Sequence, residues 1–178
     1  MDNFSTAMVF VFRVEGGYVN NPVDRGGATN RGITQDTYTE WLASKKLPYG
    51  DVKDISEDTA KRIYFERYWL PTKCAVMPLR LSVVHFDACV NHGPVRGAML
   101  LQESLGVNVD GVIGPKTMAE ISRTLESKDA ENDVINKYHE SRMDFYRQIV
   151  WNSPEQNIFL AGWTNRVKWL REYVAGLG

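Results

Sequence analysis

The sequence predicts a mainly α protein interrupted by one glycine-rich loop. Three observations carry this reading. Apolar side chains recur at helical spacing in segment after segment, as in Phe4, Met8, Val11 and Phe12. Helix start and stop residues bracket those segments: Thr34, Ser56 and Pro94 before, Gly106 after. No segment reads as a strand except within Glu15–Thr34, where a short hairpin fits.

Residues 3 to 14 form the first amphipathic helix on this pattern, and it runs into Glu15. Thr34 is a good N-cap, Asp36 suits the positive end of the next helix, and Leu47-Pro48-Tyr49-Gly50 ends it. Ser56 caps another helix, expected to reach Trp69 before Pro71; Tyr64 and Trp69 read as core aromatics. Leu79 to Asn91 is apolar almost all round, the mark of a buried central helix. His92-Gly93-Pro94 stops it and starts the next, which runs from Val95 to Leu105 with Gly106 after its end. The charged stretch from Glu126 to Asp133 reads as a surface break. Two long helices follow it, separated by Asn152-Ser153-Pro154. There is no repeat, low-complexity tract or linker. The expected organisation is a first part, 1–94, packed with a second helical part, 95–178.

The loop concentrates the chemistry. Between Glu15 and Thr34 lie five glycines, one proline and three asparagines, too much turn chemistry for an ordinary connection. Two carboxylates and two threonines sit among them. A carboxylic acid at a helix end, with a second carboxylate on a facing loop, is the minimal set for breaking a glycosidic bond. One acid must stay protonated to protonate the leaving oxygen, which partial burial favours. Glu15 suits that role, because it follows Val9, Phe10, Val11, Phe12 and Val14. Asp24, beside Arg25 in a wetter stretch, suits the ionised role of holding a water or steadying positive charge on the sugar. Thr29 or Thr34 would orient that water. Tyr18, Asn30 and Thr34 are the loop's candidates for substrate contact. Asp87 and Asn91 lie four apart on the central helix. They either tie that helix to the loop through hydrogen bonds or line the cleft.

The string EGGYVNNPVDRGGATNRGIT resembles the signature of glycoside hydrolase family 108, the bacterial and phage N-acetylmuramidases. The resemblance implies a lysozyme-like helical fold with an active-site loop, and Glu15, in the EGGY motif, as catalytic acid. Phage-type lysozymes show a similar order: Glu, eight residues, Asp, five residues, Thr. Glu15 and Asp24 keep the first gap; Thr29 comes one residue early and Thr34 too late. The segment Phe86-Asp87-Ala-Cys-Val-Asn91-His-Gly93 resembles the family's FDxxVNxG stretch, which implies a place near the active site. Asp110-Gly-Val-Ile-Gly-Pro-Lys-Thr117 resembles a turn of peptidoglycan-binding helical modules, where Asp110, Gly111 and Gly114 shape the turn. Family members include phage endolysins and muramidases that help export proteins through the wall. A different class, a non-catalytic wall-binding accessory of secretion, would keep the scaffold without the activity.

Composition excludes other classes. In 178 residues the net charge is −1. That balance argues against a nucleic-acid partner held by electrostatics and leaves peptidoglycan recognition to the cleft. His85, His92 and His139 have no metal-ligand spacing, and no cofactor is implied. Aligning Gly111 with the turn glycine of a calcium loop puts Gly106 at the first ligand position, which argues against calcium. Cys74 and Cys89 are expected as reduced thiols. Cys89 and His85 are spaced as a nucleophile pair, but an apolar helix suppresses the thiolate. Ala7 to Phe12 is too short to span a bilayer and lacks a basic flank. The expectation is therefore a monomer made in the cytoplasm without a signal peptide or stable membrane insertion, acting on the wall in the periplasm.

Overall fold

The computed structural model describes residues 1–20, 27–124 and 127–177. The fold is mainly α and lysozyme-like, with one two-stranded antiparallel sheet. The elements are α1 (Asn3–Glu15), β1 (Thr29–Asn30), β2 (Ile33–Thr34), α2 (Gln35–Ser44), α3 (Glu57–Tyr64), α4 (Leu79–His92), α5 (Pro94–Leu105), α6 (Pro115–Thr124), α7 (Lys128–Asn152) and α8 (Asn157–Ala175). The chain divides into two compact units, Met8–Arg67 and Met1–Ala7 with the chain from Tyr68 onward.

In the unit Met8–Arg67, local capping sets the boundaries that the sequence indicates. Thr34 accepts a hydrogen bond from the Thr37 amide, and Ser56 accepts one from the Thr59 amide. Gln35 clamps the start of α2 to the following loop: its amide donates to the Gly50 carbonyl (2.9 Å) and its oxygen accepts from the Val52 amide (2.7 Å). Phe10, Val11, Ile33, Val52, Ile55, Ile63 and Tyr64 are buried. The helical run beyond α3 does reach Trp69, but Phe65–Trp69 winds as a π-helix, a change that the periodicity does not reveal.

In the larger unit, α4 is the central helix. Every residue from Leu81 to Cys89 is buried, and α5, α7 and α8 pack around it. Phe4, Trp69 and Phe86 meet edge to face, with centroids 5.2–5.9 Å apart. Gly97 lets α5 approach α4 closely, since a Cβ there would strike the Cys89 sulfur. Pro94 opens α5, and Gly106 ends it with φ +68°. The 110–117 turn is closed by Gln102, whose oxygen accepts from the Asp110 and Gly111 amides (3.1 and 2.8 Å). Of the charged stretch Glu126–Asp133, residues 128–133 form the start of α7 rather than a surface break, and Glu126 lies outside the described residues. Ser127 caps α7, and Asp129 and Glu131 suit its positive end.

Asp87 is the charge at the centre of this unit. It is 0% exposed. Arg142 from α7 donates to one oxygen (2.6 Å) and Arg166 from α8 to the other (2.8 Å). Arg142 also donates to Asn91 (3.2 Å) and to His92 Nε2 (3.0 Å), while the Tyr146 hydroxyl donates to Asn91 (2.7 Å). The network ties α4 to the two long C-terminal helices, where the sequence pattern pointed to the glycine-rich loop. Burial raises the Asp87 carboxyl, but the two guanidiniums outweigh it and hold the group below its ordinary value.

Two buried histidines, His85 and His139, and the half-buried His92 are held neutral. Burial lowers His85 to about 4. Burial and the neighbouring Arg142 lower His92 to about 3, and burial with Arg171 lowers His139 to about 3. Neither ring nitrogen of His139 finds a hydrogen-bond partner among the described residues. All three bind a proton more readily unfolded, near pH 6.5, than folded. Their contribution is complete above that pH and is lost as pH falls to the folded values, about 4 for His85 and about 3 for His92 and His139. Asp87 acts in the same direction, losing its contribution below its unfolded value near 3.9. Urea denaturation at pH 7.5 and pH 5 should show lower stability at pH 5, by up to about 1.4 kcal/mol per pH unit for each histidine. Arg142→Met should cost about 3–5 kcal/mol in the same assay, because it removes a partner from a buried charge.

Candidate active site

Glu15 is the last residue of α1, and Gly16 (φ +71°) turns the chain out of the helix immediately after it. The carboxylate is half-buried. The chain then returns as an extended segment. Val19 and Thr29 exchange backbone hydrogen bonds, both 2.8 Å, and Thr29 pairs with Thr34 across the hairpin. The two residues at the hairpin tip, Arg31 (φ 53°) and Gly32 (φ 75°), both have positive φ, the signature of a type I′ turn.

That turn is seated against Glu15. A Cβ placed on Gly32 would lie 2.8 Å from Glu15 Oε2 and 2.9 Å from its Cγ, and would strike the Tyr64 hydroxyl. Tyr64 in turn donates to the Arg31 carbonyl (2.9 Å) and so pins the turn. Phe12, one turn before Glu15, meets Tyr64 edge to face and lies under the Arg31 guanidinium (5.7 Å) and the Lys61 ammonium (6.0 Å). The acid therefore has an apolar base and a backbone wall.

The other loop residues divide by what already holds them. Thr29 is half-buried with its backbone paired on both sides. Thr34 uses its hydroxyl as the cap of α2 and also bonds the Thr37 hydroxyl (3.1 Å), which favours Thr29 over Thr34 for orienting a water. Asn30 is 8% exposed, and its amide nitrogen donates to the Val52 and Lys53 carbonyls (3.1 and 2.9 Å). It fastens the hairpin to the 52–54 turn. Tyr18 is 40% exposed and available for contact. Asp24 lies outside the described residues.

Asp87 and Asn91 belong to the other compact unit. Both Asp87 oxygens are taken by arginines inside the protein, so this carboxylate ties together the helices of its unit. Asn91 is exposed although its oxygen is hydrogen-bonded. Cys74 and Cys89 are buried free thiols. Cys89 does meet His85, at 3.6 Å, but burial pushes the thiol well above its ordinary value and the imidazole down to about 4. Neither ionises, and no nucleophile forms.

Two residues packed beside Glu15 were not legible in the sequence pattern. Gly32 was one glycine among five, although Asn-Arg-Gly followed by an apolar residue is a hairpin signal. Tyr64 read as core, and nothing local indicated that its hydroxyl secures the turn beside the acid. Gly32→Ala should cost about 1–3 kcal/mol through the positive φ and the clash with Glu15. Thermal melts and wall-lysis assays should register the loss together.

The profile of glycosyl hydrolase 108 matches residues 8–93, and that of the Predicted Peptidoglycan domain matches residues 96–168. A search of curated proteins finds no match. Among solved structures, SagA of Brucella abortus is similar over 97% of this chain and 94% of that one, at 34% identity and a TM-score of 0.78. Family profile, peptidoglycan profile and whole-length likeness agree with a glycine-turned helix end that presents an acid. The chain belongs to glycosyl hydrolase family 108, and it is a glycoside hydrolase of the muramidase type, acting on peptidoglycan.

Proposed function

We propose that Glu15 is the general acid that protonates the oxygen of the β-1,4 bond between N-acetylmuramic acid and N-acetylglucosamine. The observation that carries this is the seat of Glu15, at the broken end of α1 with Gly32 packed on its carboxylate. Protonating the bridging oxygen makes it a neutral leaving group while positive charge builds on the ring. Asp24 is the second carboxylate. It either attacks the sugar carbon or activates a water, according to the separation of the two carboxylates. Thr29 holds the water, and Tyr18 contacts the glycan. In this reading residues 1–94 carry the chemistry and 95–178 carry the wall-binding module, within a monomer that acts in the periplasm.

The role we propose is opening the wall for export of a protein, a toxin among the candidates. Resemblance to muramidases that serve secretion supports it over phage-type lysis. If so, deleting the gene should leave the exported protein trapped in the periplasm with growth unchanged.

Glu15→Gln should keep the fold and lose about 10²–10⁴-fold in rate on purified murein, the usual size of a general-acid contribution. A folded Glu15→Gln protein with normal lysis of permeabilised Gram-negative cells rejects the assignment. Asp24→Asn should cost less, and the reverse order would exchange the two roles. Sedimentation with walls in the absence of lysis would identify a binding accessory instead.

A further inference from the structure

Tyr64 ends α3 and is 1% exposed, yet its hydroxyl reaches the hairpin beside the acid. It donates to the carbonyl of Arg31, 33 residues earlier in the chain (2.9 Å). The same hydroxyl would strike a Cβ on Gly32, and Glu15 Oε2 lies 2.8 Å from that point. Both oxygens therefore border the space that Gly32 leaves. The Tyr64 ring meets Phe12 edge to face (6.1 Å). Phe12 precedes Glu15 by three residues on α1, so the two share a face. Tyr64 thus touches both supports of the acid, the helix and the hairpin tip. A phenylalanine would fill this core without a hydroxyl to desolvate; a buried hydroxyl is useful where its bond must fix a partner. Directly after Tyr64 the chain winds as the π-helix Phe65–Trp69, a form frequent at functional sites.

We propose that Tyr64 is a positioning residue of the hydrolysis. It acts through Glu15, holding the 31–32 turn against the carboxyl and so limiting the acid to one orientation. The proposal rests on Glu15 as the general acid. Proton transfer needs the acid within about 2.6–3.2 Å of the bridging oxygen. A misplacement of about 1 Å can cost about 10²-fold in rate. Without the hydroxyl the turn loosens but persists, because Arg31 keeps its place over Phe12 (5.7 Å) and its ion pair with Glu57 (3.4 Å).

The test is Tyr64→Phe, made in the wild type and in Glu15→Gln. Products from purified Gram-negative murein are counted by mass spectrometry, well below the melting temperatures and over incubations long enough to measure Glu15→Gln. In the wild type, Tyr64→Phe should lower kcat about 10–100-fold and leave KM within about twofold. In Glu15→Gln it should change the rate less than about twofold, because the group it positions is gone. Phe12→Leu, which loosens the other side of the ring, should show the same pattern with a smaller loss. Thermal melts report whether each variant is folded. Folded Tyr64→Phe with wild-type kcat, a loss carried by KM, or an equal loss in both backgrounds overturns the proposal. If Tyr64→Phe does not fold, Phe12→Leu decides by the same criteria. Normal hydrolysis by Glu15→Gln would reject the acid itself, whereas a crippled Glu15→Gln beside a normal Tyr64→Phe would reject only the positioning role.

Discussion

Glu15 has room for its carboxylate only because Gly32 has no side chain. The geometry around the acid follows from that single vacancy. The hairpin tip must adopt positive φ at two successive residues, and one of them must be glycine because the acid occupies the space a Cβ would take. Tyr64 then holds the tip through a backbone carbonyl, and Asn30 holds the hairpin's base against the 52–54 turn. A backbone wall therefore stands beside a half-buried acid.

The larger unit answers a different problem, how to keep a charge inside. α4 is buried along most of its length, yet it carries Asp87. An isolated carboxylate there would be prohibitively unstable. Two arginines from two separate helices share it, and the unused donors of Arg142 go to Asn91, His92 and Tyr146. Such a network adds little net stability over an apolar core but admits one register of α7 and α8 against α4. The neutral histidines nearby make the same region sensitive to acid.

Local rules were legible wherever one residue and its immediate neighbours decide the outcome. Thr34 and Ser56 cap, Pro94 starts a helix, Gly106 ends one, and the all-apolar α4 is central, each by short-range chemistry. The reading failed where partners come from far along the chain. The charged 127–133 stretch looked like a surface break, because composition does not distinguish a solvated turn from the polar first turns of a long helix. The π-helical end of α3 left no mark in the periodicity. Asp87 and Asn91 were spaced for one face, but spacing alone does not say whether a cleft or an arginine awaits them.

For function the division is similar. The residue order of Glu15–Thr34 by itself carried the resemblance to the family and hence the type of enzyme, because a helix break, turn glycines and a carboxylate are neighbours in sequence. Only the tertiary structure decided that Gly32 is the glycine against Glu15, that Asn30 fastens the hairpin to the 52–54 turn, and that two arginines hold Asp87. Each of those outcomes depends on a partner brought from a distant segment by packing, which no local pattern encodes.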